Sequence, residues 1–194
     1  MDQGIKSRPR YARLAWDESG ARHLLVTDLA AVPPDTLAEG FDLAAVPVWS
    51  VIARSDLPPD PSAADRHPHS QQFRSAAQLL ARLRVTLAQE TMGLRLYVVG
   101  SETFLWDVAA LGREAGLGTQ EIRLAQAGNA RRRVICTHCK TTIAEVTTNL
   151  VTCPGCGASL FVRDHFSRIH GAFMGVQVDA EIPGERPTAE ELYR

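Results

Sequence analysis

Hydrophobic positions near the start of the chain form short runs separated by turn residues. Apolar side chains dominate residues 11–16 and 23–28, and the polar residues 17–20 separate the two runs. This pattern predicts two strands of a β-hairpin. A further run, residues 45–54, predicts a third strand, and Pro47 places that strand at a sheet edge because proline lacks the backbone donor that an interior strand needs.

A proline-rich stretch and then a helical pattern follow. Residues 55–70 contain few large apolar side chains, which predicts a loop. From Ser70 onward the apolar period becomes 3.6 residues, as in a helix with one face on a core. The predicted inner stripe consists of Phe73, Ala76, Ala77, Leu80, Leu83 and Leu87.

The middle of the chain has the pattern of a strand, a helix and a second strand. Residues 94–100 are almost continuously apolar and end in glycine, and Ser101 then supplies a helix N-cap. Gly116 ends the helix, and residues 121–125 form another apolar run. A βαβ unit with two parallel strands is expected. The predicted inner face of its helix consists of Phe104, Leu105, Val108, Leu111 and Ala115.

Composition and charge exclude several classes of protein. Hydrophobic residues make up 45% and charged residues 22% of the chain, as in ordinary globular proteins rather than disordered ones. The formal net charge is -1, so only a local patch can attract nucleic acid or an anionic membrane. No apolar run reaches the roughly 20 residues that cross a bilayer, and the first ten residues lack an apolar signal segment. We expect a cytoplasmic protein without membrane association.

All four cysteines of the chain lie in one short segment. Cys136 and Cys139 form a C-x2-C pair, and after thirteen intervening residues Cys153 and Cys156 form a second. Thiols in a reducing compartment serve as metal ligands more often than as disulfides. The spacing predicts two metal-binding turns, or knuckles, that together hold one ion with four sulfurs.

The type of metal is less sharply defined than the ligands. Zinc suits a closed four-sulfur site, although iron in a rubredoxin-like site uses the same two knuckles. Lys140 stands where a rubredoxin-like first knuckle has glycine, which favours zinc. Because four protein ligands leave no open position, the ion is expected to be structural. This zinc ribbon is predicted for residues 131–180, after an α/β domain at 10–128 and before a flexible tail at 181–194.

Local charge leaves a nucleic-acid-binding function as an alternative. Residues 131–170 contain six cationic and two acidic side chains, for a local charge of +4. A basic patch is the minimum requirement for contacts with phosphate. Aromatic residues that stack on bases are few in this segment, so we prefer a function that does not involve nucleic acid.

The cysteine region resembles a known family. Residues 148–179 contain the second knuckle followed by the runs VRDHFSR and AFMGV. These residues resemble the carboxy-terminal domain of DmmA-type small subunits of bacterial dimethylamine monooxygenase. The resemblance implies an accessory subunit of an enzyme that uses O2 and NADPH to convert dimethylamine to methylamine and formaldehyde. It also implies haem, flavin and iron-sulfur centres in partner subunits of a hetero-oligomer.

A second resemblance covers residues 94–124. They are similar to the last strand, helix and strand of the NAD-binding domain in ferredoxin-NADP reductase-like proteins. Those proteins carry Cys-Gly-Pro after the strand, where this chain has Val99-Gly100-Ser101, and no G-x-G-x-x-G run occurs. We therefore expect an α/β domain with a small parallel sheet that has kept the reductase-like fold but binds no cofactor and has no catalytic residue.

Polar residues directly after the second knuckle are candidates for partner binding. Asp164, His165 and Arg168 form the proposed docking cluster, with ordinary surface ion pairs as the alternative. His67 and His69 flank a proline and are expected to be solvated, since two imidazoles without a third ligand bind metal poorly. Because the four cysteines form a closed site and no catalytic residue is expected, the isolated chain is expected to be inactive and to function only with the other subunits.

Overall fold

The computed structural model describes residues 7–52, 67–180 and 183–194. Contacts divide the chain into two units. The first unit is Tyr11–Gly128, and the second is Asn129–Arg194 together with residues that precede Tyr11. Among the described residues, no helix has the length and apolar character required to span a bilayer.

In its described residues, the first unit has a five-stranded, entirely parallel sheet and two α-helices. Its strand order is β3-β2-β1-β4-β5, which confirms the prediction of an α/β fold with a parallel sheet. The elements are β1 (Arg22–Thr27), β2 (Val48–Val51), β3 (Gln71–Phe73), α1 (Ala76–Leu87), β4 (Leu94–Gly100), α2 (Glu102–Glu114) and β5 (Ile122–Gln126).

The core of this unit explains the apolar runs in the sequence. Strand β4 is buried along most of its length, as expected for a central parallel strand that is covered on both faces. On one face, Leu25 and Tyr97 pack with Leu14 and Val46 in a buried cluster. Irregular segments with two short 3₁₀ turns, Pro34–Thr36 and Leu43–Ala45, connect β1 to β2.

The predicted hairpin at the start of the chain is wrong. The turn at residues 17–20 exists, since the Gly20 N–H donates to the Asp17 carbonyl at 3.2 Å. However, both edges of β1 already pair with β2 and β4, so no edge remains for residues 11–16. Instead, Leu14 forms an isolated parallel bridge with Leu37 and lies in the core.

Two further boundaries differ from the sequence prediction. Strand β2 is not an edge strand, because it pairs with β1 and β3, and Pro47 lies directly before it. Phe73 belongs to β3, and Ser75 caps the N-terminus of α1. The buried positions of α1 are Leu79, Leu83 and Leu87, so Leu79 replaces the predicted Leu80. Most of the predicted 55–70 loop lies outside the described residues, as does the end of the predicted 45–54 strand.

The predicted βαβ unit is present. Ser101 caps α2 by accepting a hydrogen bond from the Phe104 N–H, and Gly116 follows the helix with a φ of 92°. Strands β4 and β5 pair in parallel, as the sequence indicates. Four of the five predicted inner residues of α2 are buried, whereas Ala115 is its exposed C-cap.

The second unit is a mixed five-stranded sheet with the order β7-β6-β10-β9-β8. Strand β10 pairs in parallel with β6 and antiparallel with β9. The remaining pairs, β6 with β7 and β8 with β9, are antiparallel. The elements are β6 (Arg132–Cys136), β7 (Thr142–Val146), β8 (Leu150–Thr152), β9 (Ser159–Ser167) and β10 (Ala172–Gln177).

The last residues of the chain make specific contacts, although the sequence predicted a flexible tail at 181–194. The backbone N–H groups of Leu192 and Tyr193 both donate to the Thr147 carbonyl at 2.9 Å. The Asn149 side chain accepts from the Glu190 N–H at 2.8 Å. Tyr193 is only 7% exposed, so an aromatic anchor holds the end of the chain in place.

Candidate metal centre

Two hairpins in the second unit bring the four cysteines together. Cys136 ends β6, and Cys139 lies in the turn between β6 and β7. Cys153 follows β8, and Cys156 lies before β9. Since β10 joins β6 to β9 in one sheet, it positions the two hairpin turns against each other.

The two knuckles have the same backbone hydrogen bonds. In the first, the Lys140 N–H donates to the Cys136 carbonyl at 3.0 Å, and in the second, the Gly157 N–H donates to the Cys153 carbonyl at 2.9 Å. Both donors have left-handed backbones, with φ of 64° at Lys140 and 75° at Gly157. Lys140 thus adopts a conformation that glycine takes more readily, and its Nζ donates to the Thr137 carbonyl at 2.7 Å.

The sulfur positions fit a tetrahedral metal site. All four Sγ atoms lie within 4.8 Å of one another. The Cys136 and Cys156 sulfurs are 3.8 Å apart, and the Cys139 and Cys153 sulfurs are 3.5 Å apart. A tetrahedral ion with metal-sulfur bonds of about 2.3 Å requires sulfur-sulfur distances of about 3.8 Å. The side chains therefore form a ligand cage without rearrangement of the backbone.

Packing holds the two knuckles close together. Each pair supplies one buried cysteine, and the sulfur-bearing side chains of Cys136 and Cys153 pack with Leu160 in a small core. A Cβ atom on Gly155 would overlap the hydroxyl of Thr141 and lie 3.2 Å from the Cys139 sulfur. Glycine at position 155 therefore allows the two knuckles to approach closely.

The pKa values of Cys139 and Cys156 are shifted in opposite directions. Hydrogen bonds with Thr141 lower the pKa of Cys139 to about 6. At Cys156 the Ala158 backbone N–H lowers the pKa, but burial and the neighbouring sulfurs outweigh it and raise the pKa to about 12. Four converging thiolates repel one another unless a cation lies between them. A divalent ion supplies that charge and releases the remaining protons.

Neighbouring histidines do not join this group. His138 lies within the first knuckle and is exposed. The rings of His67 and His69 are 5.6 Å apart, in the other unit. Within the part of the chain that the structure describes, the four cysteines are the only group of three or more side chains suited to hold a metal.

Of the three residues predicted to bind partners, Asp164 forms ion pairs within the second unit. Asp164 lies in β9 and pairs with Arg8 at 2.6 Å and with Arg132 at 3.0 Å, so its carboxylate is occupied within the unit. His165 and Arg168 are both exposed, in β9 and in the turn that follows it. Only these two remain available to a partner.

Sequence reasoning missed a stacked cation beside this strand. The Arg132 guanidinium lies between the rings of Phe173 and Tyr193 and is almost fully buried. In the sequence Arg132 is the second of three consecutive arginines, a pattern typical of a solvated charged patch. The signal that distinguishes Arg132 is its position two residues before Val134, which places both side chains on one face of β6.

Fold and site together define a two-unit chain, with a parallel α/β unit followed by a β-sheet unit that presents a four-cysteine cage. Two family models match these units. Residues 3–122 match the N-terminal domain, and residues 133–176 the C-terminal domain, of "Dimethylamine monooxygenase subunit DmmA-like". The chain belongs to this DmmA-like family.

One relative among curated proteins supports the assignment across both units. The chain is 36% identical over 178 residues to the "Heme-dependent oxidative N-demethylase delta subunit" of Ectopseudomonas mendocina (strain ymp), and the match covers 91% of each chain. No solved structure matches the chain.

Proposed function

We propose that this chain is an accessory subunit of a multisubunit oxygenase that removes methyl groups from amines by oxidation. The observation that carries the proposal is the relationship to a named delta subunit along 91% of both chains. The chain's own chemistry agrees with an accessory role, because its four cysteines converge on a closed cage that leaves no ligand position for substrate.

Within this role, the cage holds one structural zinc ion. The sulfur-sulfur distances of 3.5 and 3.8 Å support this part of the proposal, as does the placement of the ligands at the tips of two hairpins. Zinc would fasten the β6–β7 turn to the β8–β9 turn and so complete a zinc ribbon. The inner sulfurs rest on Leu160, so metal loss would expose this small core to water.

The chemistry of the reaction belongs to other subunits in this proposal. The relative's name includes haem, and the family's name includes dimethylamine. We propose that dimethylamine is oxidised to methylamine and formaldehyde with O2 and NADPH, on haem, flavin and iron-sulfur centres held by partner chains in the cytoplasm. The first unit would serve as a scaffold with a ferredoxin reductase-like fold, and its entirely parallel five-stranded sheet supports this part of the proposal.

The exposed side of the β9–β10 hairpin is the surface that we assign to docking. A groove of about 850 Å³ adjoins it, with Phe161, Met174 and Val176 among its apolar lining. The side chains of Arg163 and His165 also line the groove, together with those of Asp164 and Glu190. An apolar floor beside charged residues has the composition of a protein interface.

The hairpin tip extends this surface. Ile169 is 89% exposed between Arg168 and His170, which are also exposed. Among the described residues, no carboxylate forms an ion pair with Arg163 or Arg168. Glu190 lines the groove but pairs with neither arginine. The unpaired arginines suit a partner subunit that presents carboxylates beside an apolar side chain.

The nucleic-acid alternative has fewer free cations in the folded unit than in the sequence. Arg131 pairs with Glu145 at 2.9 Å, and Arg132 is buried in an ion pair with Asp164. These pairs leave the local charge of +4 unchanged, but they occupy two of the six cations that could contact phosphate. No observation of the structure favours this alternative, so we do not propose it.

Affinity purification tests the proposed role. The chain, tagged and expressed at native level in its own host, should elute with a haem-containing subunit in constant ratio, detected by the Soret absorption band. Elution of the chain alone, or with nucleic acid that nuclease treatment releases, would contradict the proposal.

A further inference from the structure

The crevice that normally binds nucleotides in parallel α/β sheets lies beside β1 in the first unit. Strand β4 lies on one side of β1, while the chain continues from β1 to β2 on the other side. At such a reversal of strand order, ligands bind beyond the carboxyl ends of the strands, with phosphate on a helix N-terminus. Here Asp28 directly follows β1, and Ser101 follows β4 as the N-cap of α2.

The carboxylate of Asp28 occupies the N-terminus of α2. The Ser101 hydroxyl donates to Asp28 Oδ2 at 2.6 Å. The Ser101 backbone N–H lies 3.2 and 3.3 Å from the two carboxylate oxygens. Burial raises the pKa of Asp28, and the hydrogen bonds from Ser101 oppose that rise. The carboxylate therefore uses the donors that a bound phosphate would use.

Glycine at position 100 makes this contact possible. A Cβ atom there would overlap the Asp28 carboxylate and lie 3.2 Å from the Phe104 ring. The φ of 150° at Gly100 is also one that other residues rarely adopt. In nucleotide-binding sheets, glycine lets the backbone approach the ligand. In this chain, Gly100 admits the protein's own carboxylate.

A second acid lies in the first turn of α2. The carboxylate of Glu102 accepts a hydrogen bond from the Tyr11 hydroxyl at 2.8 Å. The Tyr11 hydroxyl in turn accepts from Trp106 Nε1 at 2.9 Å. The carboxylates of Asp28 and Glu102 already compensate the positive end of the helix dipole. A phosphate that approached this turn would be repelled by both.

We infer that Asp28 is an internal substitute for a ligand phosphate, and that the first unit is a scaffold whose nucleotide crevice is closed from within. The inference concerns the first unit alone, so it stands or falls independently of the assembly proposed above. It predicts that truncation of the Asp28 side chain creates an anion site that the natural chain lacks.

Thermal unfolding of the full chain with added ligand tests the inference. The probes are inorganic phosphate and NADP⁺, each compared with chloride at the same ionic strength, and the circular dichroism of the two helices reports on the first unit. The proteins are the natural chain, Asp28→Ala and Asp35→Ala, which removes an exposed carboxylate from the same connection. Asp28→Ala should gain a saturable rise in melting temperature with phosphate, and the other two proteins should show none.

Two results would overturn the inference. One is a saturable response of the natural chain to NADP⁺ or phosphate, and the other is a folded Asp28→Ala chain that gains no response to phosphate. Asp28→Asn keeps the size and one acceptor oxygen, so it serves if the alanine variant does not fold. Because the asparagine side chain still fills the crevice, Asp28→Asn should not respond to NADP⁺. A saturable response of this variant to NADP⁺ would contradict closure of the crevice by the side chain at position 28.

Discussion

The guanidinium carbon of Arg132 lies 3.8 Å from the ring centre of Tyr193, which joins the penultimate residue of the chain to the strand that leads into the first knuckle. The same carbon is 3.9 Å from the ring centre of Phe173. Asp164 completes the arrangement by pairing with Arg132 and Arg8. The Tyr193 side chain is therefore part of the core of the second unit.

Loss of the Tyr193 ring should destabilise the second unit. Truncation of a large buried aromatic side chain costs about 3 kcal/mol. The guanidinium of Arg132 would also lose one of its two aromatic partners. Tyr193→Ala should therefore lower the denaturant midpoint, measured through hydrogen exchange of amides in β6 and β10. Tyr193→Phe is the matched control and should remain within about 0.5 kcal/mol of the natural chain, because it keeps the ring. Equal stability of the alanine variant would show that the ring contributes nothing.

Removal of one sulfur should unfold the second unit without unfolding the first. Cys153→Ser should lose the bound metal and the exchange protection of β6–β10, since metal binding supplies much of the folding free energy of such modules. Both α-helices lie in the first unit, so the helical circular dichroism signal should persist. Thr152→Ser, at the adjacent exposed position, should retain metal and protection. Simultaneous loss of helix and metal would mean that the two units unfold as one.

Acid should weaken the first unit through Asp17. The Ser19 hydroxyl, with Arg95 and Arg123, holds the pKa of Asp17 well below its usual range. A carboxyl with a lowered pKa in the folded state stabilises that state fully at neutral pH, and this contribution is lost as pH falls below about 4. Asp17→Asn should therefore be less stable than the natural chain at pH 7, with a difference that narrows in acid. A difference that stays constant over this pH interval would exclude Asp17 as the cause.

Charge reversal at the β9–β10 hairpin should weaken assembly. Arg168→Glu should raise the dissociation constant for the partner subunits about tenfold or more, since like charges across an interface are strongly unfavourable. Metal content should not change, because Arg168 lies in the turn between β9 and β10, whereas the ligands lie at the knuckles. Arg82→Glu, on an exposed position of α1, controls for net charge. Equal affinity of both variants would remove Arg168 from the docking surface.

Local sequence signals predicted the elements that local interactions determine. The run of residues 94–100, the Ser101 cap and Gly116 together define β4 and α2, and the structure has both. The cysteine spacing likewise predicted that the four sulfurs converge. These signals lie within a few residues of the structure they determine, so a single sequence reveals them.

Contacts between distant residues were not predictable in the same way. Strand β1 pairs with β4 across about seventy residues, and nothing in the apolar run of β1 distinguishes that parallel partner from a hairpin neighbour. Asp164 was assigned to a docking cluster because its partners Arg8 and Arg132 are remote in sequence. The tail looked mobile because its anchors, Thr147 and Asn149, lie about forty residues earlier.

Release of formaldehyde from dimethylamine tests the proposed function most directly. The assay uses O2 and NADPH with the chain alone, with the partner subunits that co-purify with it, and with both combined. Formaldehyde should be formed at full rate only in the combined sample, and the chain alone should form none. Formaldehyde production by the isolated chain, or full production by the partners without it, would contradict its role as an accessory subunit.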